Sequence, residues 1–176
     1  MGFSEKSIVL VGLMGAGKSR VGTELARLMK LPFLDVDREI ERAAGMKIPE
    51  IWERLGEKEF RDGEKKVMLR MLTEERRVLA SGGGAYIQPA IRAAVKEKGI
   101  AVWLNATLET LVERTARTEN RPLLQNTDRA QKLQELIDVR YPIYAEADIT
   151  VVTDHQTPLQ MARRIMRELE EFEKDA

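Results

Sequence analysis

Apolar positions along the chain follow two alternating periods. Ser7 to Val11 (SIVLV) is short, β-branched and apolar at successive positions, as in a strand buried on both faces of a parallel sheet. Lys18 to Met29 follows, with Val21, Leu25, Leu28 and Met29 on one helical face. Pro32 ends that helix, and Phe33 to Val36 predicts a second strand. Asp37 to Ala44 is helical and stops at Gly45. Pro49 opens a further helical stretch whose apolar side is Ile51, Trp52, Leu55 and Phe60, and Gly63 to Leu72 continues it after a break. Val78 to Ala80 predicts a short strand, Pro89 starts a helix that stops at Gly99, Ile100 to Leu104 is strand and Leu108 to Thr115 is helix. Ala116 to Asp128 is polar and reads as a loop or lid. Ala130 to Arg140 is helix, Ile149 to Val152 strand, and Pro158 to Phe172 the last helix.

This alternation predicts the α/β class: a three-layer α/β/α arrangement on a five-stranded parallel sheet. Right-handed crossovers place all strand C-termini on one edge, where ligands of open α/β sheets bind. A length of 176 residues suits a single domain spanning 1–176. Hydrophobic residues at 43% exclude a disordered chain. Lys plus Arg number 29 and Asp plus Glu 29, a balance that argues against non-specific nucleic-acid or membrane binding while leaving room for a local basic cleft. Cysteine is absent and His155 is the single histidine, which removes disulfides and thiolate metal sites and speaks against a His-based triad. The apolar run from Ile8 to Ala16 is too short to span a bilayer. With Lys6 before it the run has the look of a signal peptide, but the motif described next accounts for every residue of it. The expected compartment is the cytoplasm and the expected state a monomer.

Gly12-Leu13-Met14-Gly15-Ala16-Gly17-Lys18-Ser19 fits GxxxxGK[ST] between a strand and a helix. Glycines let backbone N–H groups converge on phosphate oxygens, and the helix N-terminus adds partial positive charge. Lys18 is placed to reach the β- and γ-phosphates and Ser19 to offer its hydroxyl to Mg²⁺. No NKxD-type guanine reader follows, which argues against a switch GTPase.

Four further blocks sit after predicted strands or at helix ends. In Asp35-Val36-Asp37 an extended backbone points both carboxylates to one side, toward the phosphate loop. Asp37 as an ordinary helix N-cap is the alternative. Arg61 and Glu64 stand at i, i+3 on one helical face, either as a carboxylate-binding fork with its holder or as a solvated pair. Ser81-Gly82-Gly83-Gly84 allows close approach to the backbone, or is a flexible turn. Arg121-Pro122-Leu123-Leu124 lies in the lid, where an arginine can neutralise a transferring phosphoryl group. Arg140 opens Arg140-Tyr141-Pro142-Ile143-Tyr144 at a helix end, as a second clamp or a favourable charge at a helix C-terminus.

In order and spacing, GLMGAGKS, FLDVDREIE, GEKEFRDGE, SGGG, RPLL and RYPIY with Ala147-Asp148 together resemble the shikimate kinase family, of the P-loop group akin to nucleoside-monophosphate kinases. The resemblance implies a P-loop kinase fold with a substrate-binding region near 37–64 and a mobile lid near 116–128. It implies ATP and Mg²⁺, with shikimate as acceptor. Gly15, Ala16, Gly17, Lys18 and Ser19 would hold the phosphates, and Ser19 the metal with Asp35 assisting through water. Asp37 would bind ring hydroxyls and serve as base. Arg61 and Arg140 would grip the carboxylate, with Gly82, Gly83 and Gly84 against the ring. Arg121 would close over the phosphates, and Arg114 and Pro158 would flank adenine with Gln156 lining the pocket. The family carries Thr or Ser where this chain has Arg20, which can pair with a phosphate or turn outward. A gluconate kinase is the nearest alternative, and a nucleotide-dependent regulatory module without acceptor chemistry the more distant one.

Overall fold

The central strand β1 (Ser7–Val11) is buried at every position. It pairs in parallel with β3 (Val78–Ala80) on one side and β4 (Gly99–Ala106) on the other, while β2 (Phe33–Asp35) and β5 (Ile149–Thr153) form the edges. The structure is a computed structural model that describes residues 5–117, 128–153 and 155–176. The sheet order is β2-β3-β1-β4-β5, all parallel. Register pairs Asp35 with Ala80 and Ala106 with Thr153, so one edge gathers the strand ends and the loops that follow them.

Helices α1 (Lys18–Met29), α2 (Val36–Ala44), α3 (Ile48–Thr73), α4 (Pro89–Lys98), α5 (Leu108–Thr115), α6 (Arg129–Tyr144) and α7 (Pro158–Asp175) complete the described residues. Helix α1 packs on α7, α3 on α4 and α5 on α6. Leu10, Leu25, Met68, Leu79, Ile91, Leu104, Leu111, Leu133 and Ile165 are fully buried. Each contributes about 1.5–3 kcal/mol relative to exposure, which makes the sheet a stiff platform for its C-terminal edge.

Three local expectations change. The break in the long helical stretch is at Gly56 (φ 84°, ψ 171°) and not near Gly63, which lies in regular helix. A β-carbon at Gly56 would meet nothing within 4 Å, so the backbone conformation, not space, calls for glycine there. Leu55, in the last turn before this break, is 51% exposed and does not join the apolar side formed by Ile51, Trp52 and Phe60. Asp37 is not extended: β2 ends at Asp35, whose side chain caps α2 by accepting from Asp37 N (3.0 Å) and Arg38 N (3.4 Å). Helix α6 does not stop at Arg140 but runs through Pro142 to Tyr144. The aromatic packing of Tyr141 and Tyr144 on Trp103, with centroids 4.9 and 5.9 Å away, holds this last turn despite the lost backbone donor.

Candidate active site

At the nucleotide end, the turn from β1 into α1 begins the helix at Gly17, whose φ of 96° lies in the left-handed region. No side chain caps this helix, so its first-turn amides and positive dipole end are presented to an anion. Lys18 Nζ donates to Gly12 O (2.7 Å) and Leu13 O (3.0 Å), which holds the ammonium against the loop. Ser19 Oγ donates to Asp35 Oδ2 at 2.5 Å, linking α1 to the end of β2. Arg114, in the last turn of α5, donates through Nη1 to Gly15 O (3.2 Å) and Ala16 O (3.1 Å), which places this arginine against the phosphate loop. Gln156 and Pro158 line the same cleft, as does the exposed Arg20. Thr157 caps α7 in a capping box with Gln160, which fixes the loop before Pro158.

At the acceptor end, the run after β3 is a steric template. A β-carbon on Gly82 would lie 2.7 Å from Glu64 Oε2 and 2.9 Å from Asp37 Oδ1. On Gly83 it would lie 3.1 Å from Arg140 Nη1, and on Gly84 2.3 Å from Arg61 Nη1. Three successive glycines therefore leave room for side chains from α2, α3 and α6. The Gly83 position is also 3.6 Å from Met14 N, so this template abuts the phosphate loop. Ser81 Oγ ties the run to β1 by donating to Leu10 O (2.8 Å).

The arginines are held, not solvated. Arg61 Nη1 donates to Glu64 Oε1 at 2.9 Å, and its guanidinium lies over Phe60 (5.2 Å) and Trp52 (5.7 Å). Glu64 is fully buried, which sets the exposed-pair alternative aside. Burial pushes its pKa up, opposed by the charge and hydrogen bond of Arg61, by Gln88 and by Arg140. Arg140 is buried on α6, one turn before Tyr144. Tyr144 donates to Gly83 O and has its pKa pushed up to about 12 by burial, with Arg140 opposing, so it stays a donor.

A cleft of about 910 Å³ is lined by both groups, with Met14, Gly15, Ser19, Asp37, Gly83 and Arg140 between its ends. That is near the upper limit for a single-ligand pocket and suits two small molecules placed end to end. The expected lid falls mostly on residues 118–127, which lie outside the described residues; Arg121 is among them. Gln88 had no signal in the sequence beyond preceding Pro89. It donates to both Glu64 Oε1 (2.9 Å) and Arg61 O (3.3 Å). The sequence pattern assigns no role to Tyr144, and it marks Trp52 only as an apolar position.

The shikimate kinase family profile matches residues 14–170. The chain belongs to the shikimate kinase family. A shikimate kinase from Brucella canis is 51% identical over 148 residues, 84% of this chain and 74% of its own. One from Caulobacter vibrioides is 51% identical over 157 residues, 89% of this chain and 78% of its own. Among solved structures, shikimate kinase from Acinetobacter baumannii in complex with shikimate superposes with a TM-score of 0.93 at 41% identity, covering 96% of this chain and 95% of that one. The fold class and reaction type expected from the sequence follow: a P-loop α/β kinase that uses ATP and an alcohol acceptor. The gluconate kinase alternative recedes, since a gluconokinase from Sinorhizobium meliloti shares the fold at TM-score 0.58 with only 19% identity. Among the described residues, no helix is long and apolar enough to cross a membrane.

Proposed function

We propose that this chain transfers the γ-phosphoryl group of ATP to the 3-hydroxyl of shikimate, giving shikimate 3-phosphate and ADP in chorismate and aromatic amino acid biosynthesis. The observation that carries the reading is the glycine template: two carboxylates and two guanidinium groups are seated side by side against the phosphate loop. That set complements a small acid bearing hydroxyls. Gluconate has the same chemistry, so the choice of shikimate rests on the family and on the Acinetobacter complex.

In this reading the loop amides and Lys18 bind the β- and γ-phosphates. Arg114 and Pro158 flank the adenine with Gln156 beside them, and Arg20 pairs with a phosphate from the first turn of α1. Arg61 and Arg140 fix the acceptor carboxylate, and Asp37 orients the attacking hydroxyl and takes its proton late in the transfer. The transition state is loose, so placement of the two reactants and neutralisation of charge outweigh base strength. Arg121 enters on the resemblance alone.

The donor set fits Mg²⁺ in its usual kinase form. No group of three His, Asp or Glu side chains that could hold a metal exists among the described residues, and this ion is commonly bound by one or two protein oxygens with waters and substrate phosphates. Ser19 would hold it directly and Asp35 through water, since both Asp35 oxygens already accept protein hydrogen bonds. When bound it would neutralise phosphate charge. The enzyme acts on small molecules in the cytoplasm as a monomer, without nucleic acid or membrane, in keeping with its balanced charge.

The decisive experiment is ADP release from Mg·ATP with shikimate, with gluconate and with no acceptor. A rate that depends on shikimate is expected. A rate with gluconate alone, or none above the acceptor-free rate, would overturn the reading.

A further inference from the structure

One charged group at the acceptor end has no part in the chemistry described above. Glu64 is 0% exposed, and its Oε1 already carries Arg61 and Gln88. Its Oε2 is buried with no hydrogen-bond partner. An ionised carboxylate offers about four acceptor positions, so half of this one is unused. The unused oxygen faces the spot at Gly82 that Asp37 Oδ1 also faces, at 2.7 and 2.9 Å. The charged groups around it are Arg61 on its own helix α3, Asp37 from α2 and Arg140 from α6; Glu57 reaches Arg61 from the opposite side (3.7 Å), and Tyr144 is coupled to Arg140.

We propose that Glu64 takes up a proton on Oε2 when the acceptor's carboxylate is seated by Arg61 and Arg140, so that acceptor binding is coupled to protonation of this one buried side chain. The proposal rests on the reading of Arg61 and Arg140 as the carboxylate clamp. In the protein alone, these two cations balance Asp37 and Glu64. An anionic acceptor adds a third negative charge and engages the cations that keep Glu64 ionised, while its body displaces water. Each of these changes disfavours a second buried carboxylate beside Asp37. One proton forms an O–H bond at Oε2 as its bond to the buffer acid breaks, and the conjugate base of the buffer stays in solution. Two positive and two negative charges result, and Oε2 becomes a donor toward Asp37 or an acceptor hydroxyl at Gly82. Burial already pushes Glu64 toward its protonated form before the acceptor arrives, which lowers the cost of this step.

The sign follows from linkage. Because the complex binds more protons than its components, acceptor affinity falls as pH rises, by at most about tenfold per pH unit. Calorimetric titration with shikimate at one pH, in two buffers of different ionisation enthalpy, reads the proton count directly. Net uptake is expected with the unmutated protein. Glu64→Gln, which places an amide donor at the free oxygen, is expected to bind with no uptake and with affinity unchanged between about pH 6 and about pH 8. Binding without uptake in the unmutated protein, or uptake that persists in Glu64→Gln, overturns the proposal. If the variant does not fold, absence of uptake in the unmutated protein still overturns the proposal, and Glu64→Asp, which keeps the carboxyl group, is expected to retain the uptake. Failure of shikimate to bind at all would instead overturn the acceptor assignment.

Discussion

The two ends of the cleft are built on opposite plans. The nucleotide end is local in sequence: one turn between β1 and α1 supplies glycines, amides, Lys18 and Ser19, and few long-range partners are added, chiefly Asp35 and Arg114. The acceptor end is assembled from α2, α3 and α6, whose functional side chains converge on Gly82, Gly83 and Gly84. A backbone cradle can be specified by eight consecutive residues. A pocket made of side chains needs a shared surface to bring them into register, and the glycine run is that surface.

This division makes the consequences of mutation separable. The largest effect is expected from Asp37→Asn, which should lower kcat by about a hundred- to ten-thousandfold, with ATP binding by titration unchanged. Near-normal turnover would remove Asp37 from the chemistry. Arg61→Ala should raise the KM for shikimate by about ten- to hundredfold and leave the KM for ATP alone. Gly84→Ala should act the same way, about tenfold, because its methyl would occupy the space of the Arg61 guanidinium. An equal loss of ATP affinity in either variant would show that the ends are not independent. Arg114→Ala should produce the mirror image, weakening nucleotide binding about three- to tenfold with the acceptor KM unchanged. The smallest effect is expected from Tyr144→Phe. It leaves Gly83 O without its donor, so chemical denaturation should register about 1 kcal/mol lost, with only a slight rise in acceptor KM.

The same division explains what the sequence made legible. Strands β1 and β3 and helices α1, α4 and α5 have the bounds their patterns predict, because caps, prolines and glycines act locally. The phosphate loop was legible for the same reason. Asp37, Arg61 and Arg140 were visible as candidates, yet each had an ordinary alternative, since nothing in one segment says which other segment it will meet. Gln88 is the clearest case. Its bonds to Glu64 and Arg61 span 24 and 27 residues, and no local pattern encodes them. Gly56 and Gly63 are alike in sequence, and only the packed chain shows which of them bends.

The steric template also constrains anyone who would redesign the enzyme for another hydroxy acid. A library that varies residues 82–84 would weaken acceptor binding at every position, because a side chain there crowds a carboxylate or a guanidinium. Diversity belongs on the facing helices. Trp52, half-buried on the cleft wall with the Arg61 guanidinium over its ring, is the position at which the pocket can change shape without adding or removing a charge, at the cost of that stacking.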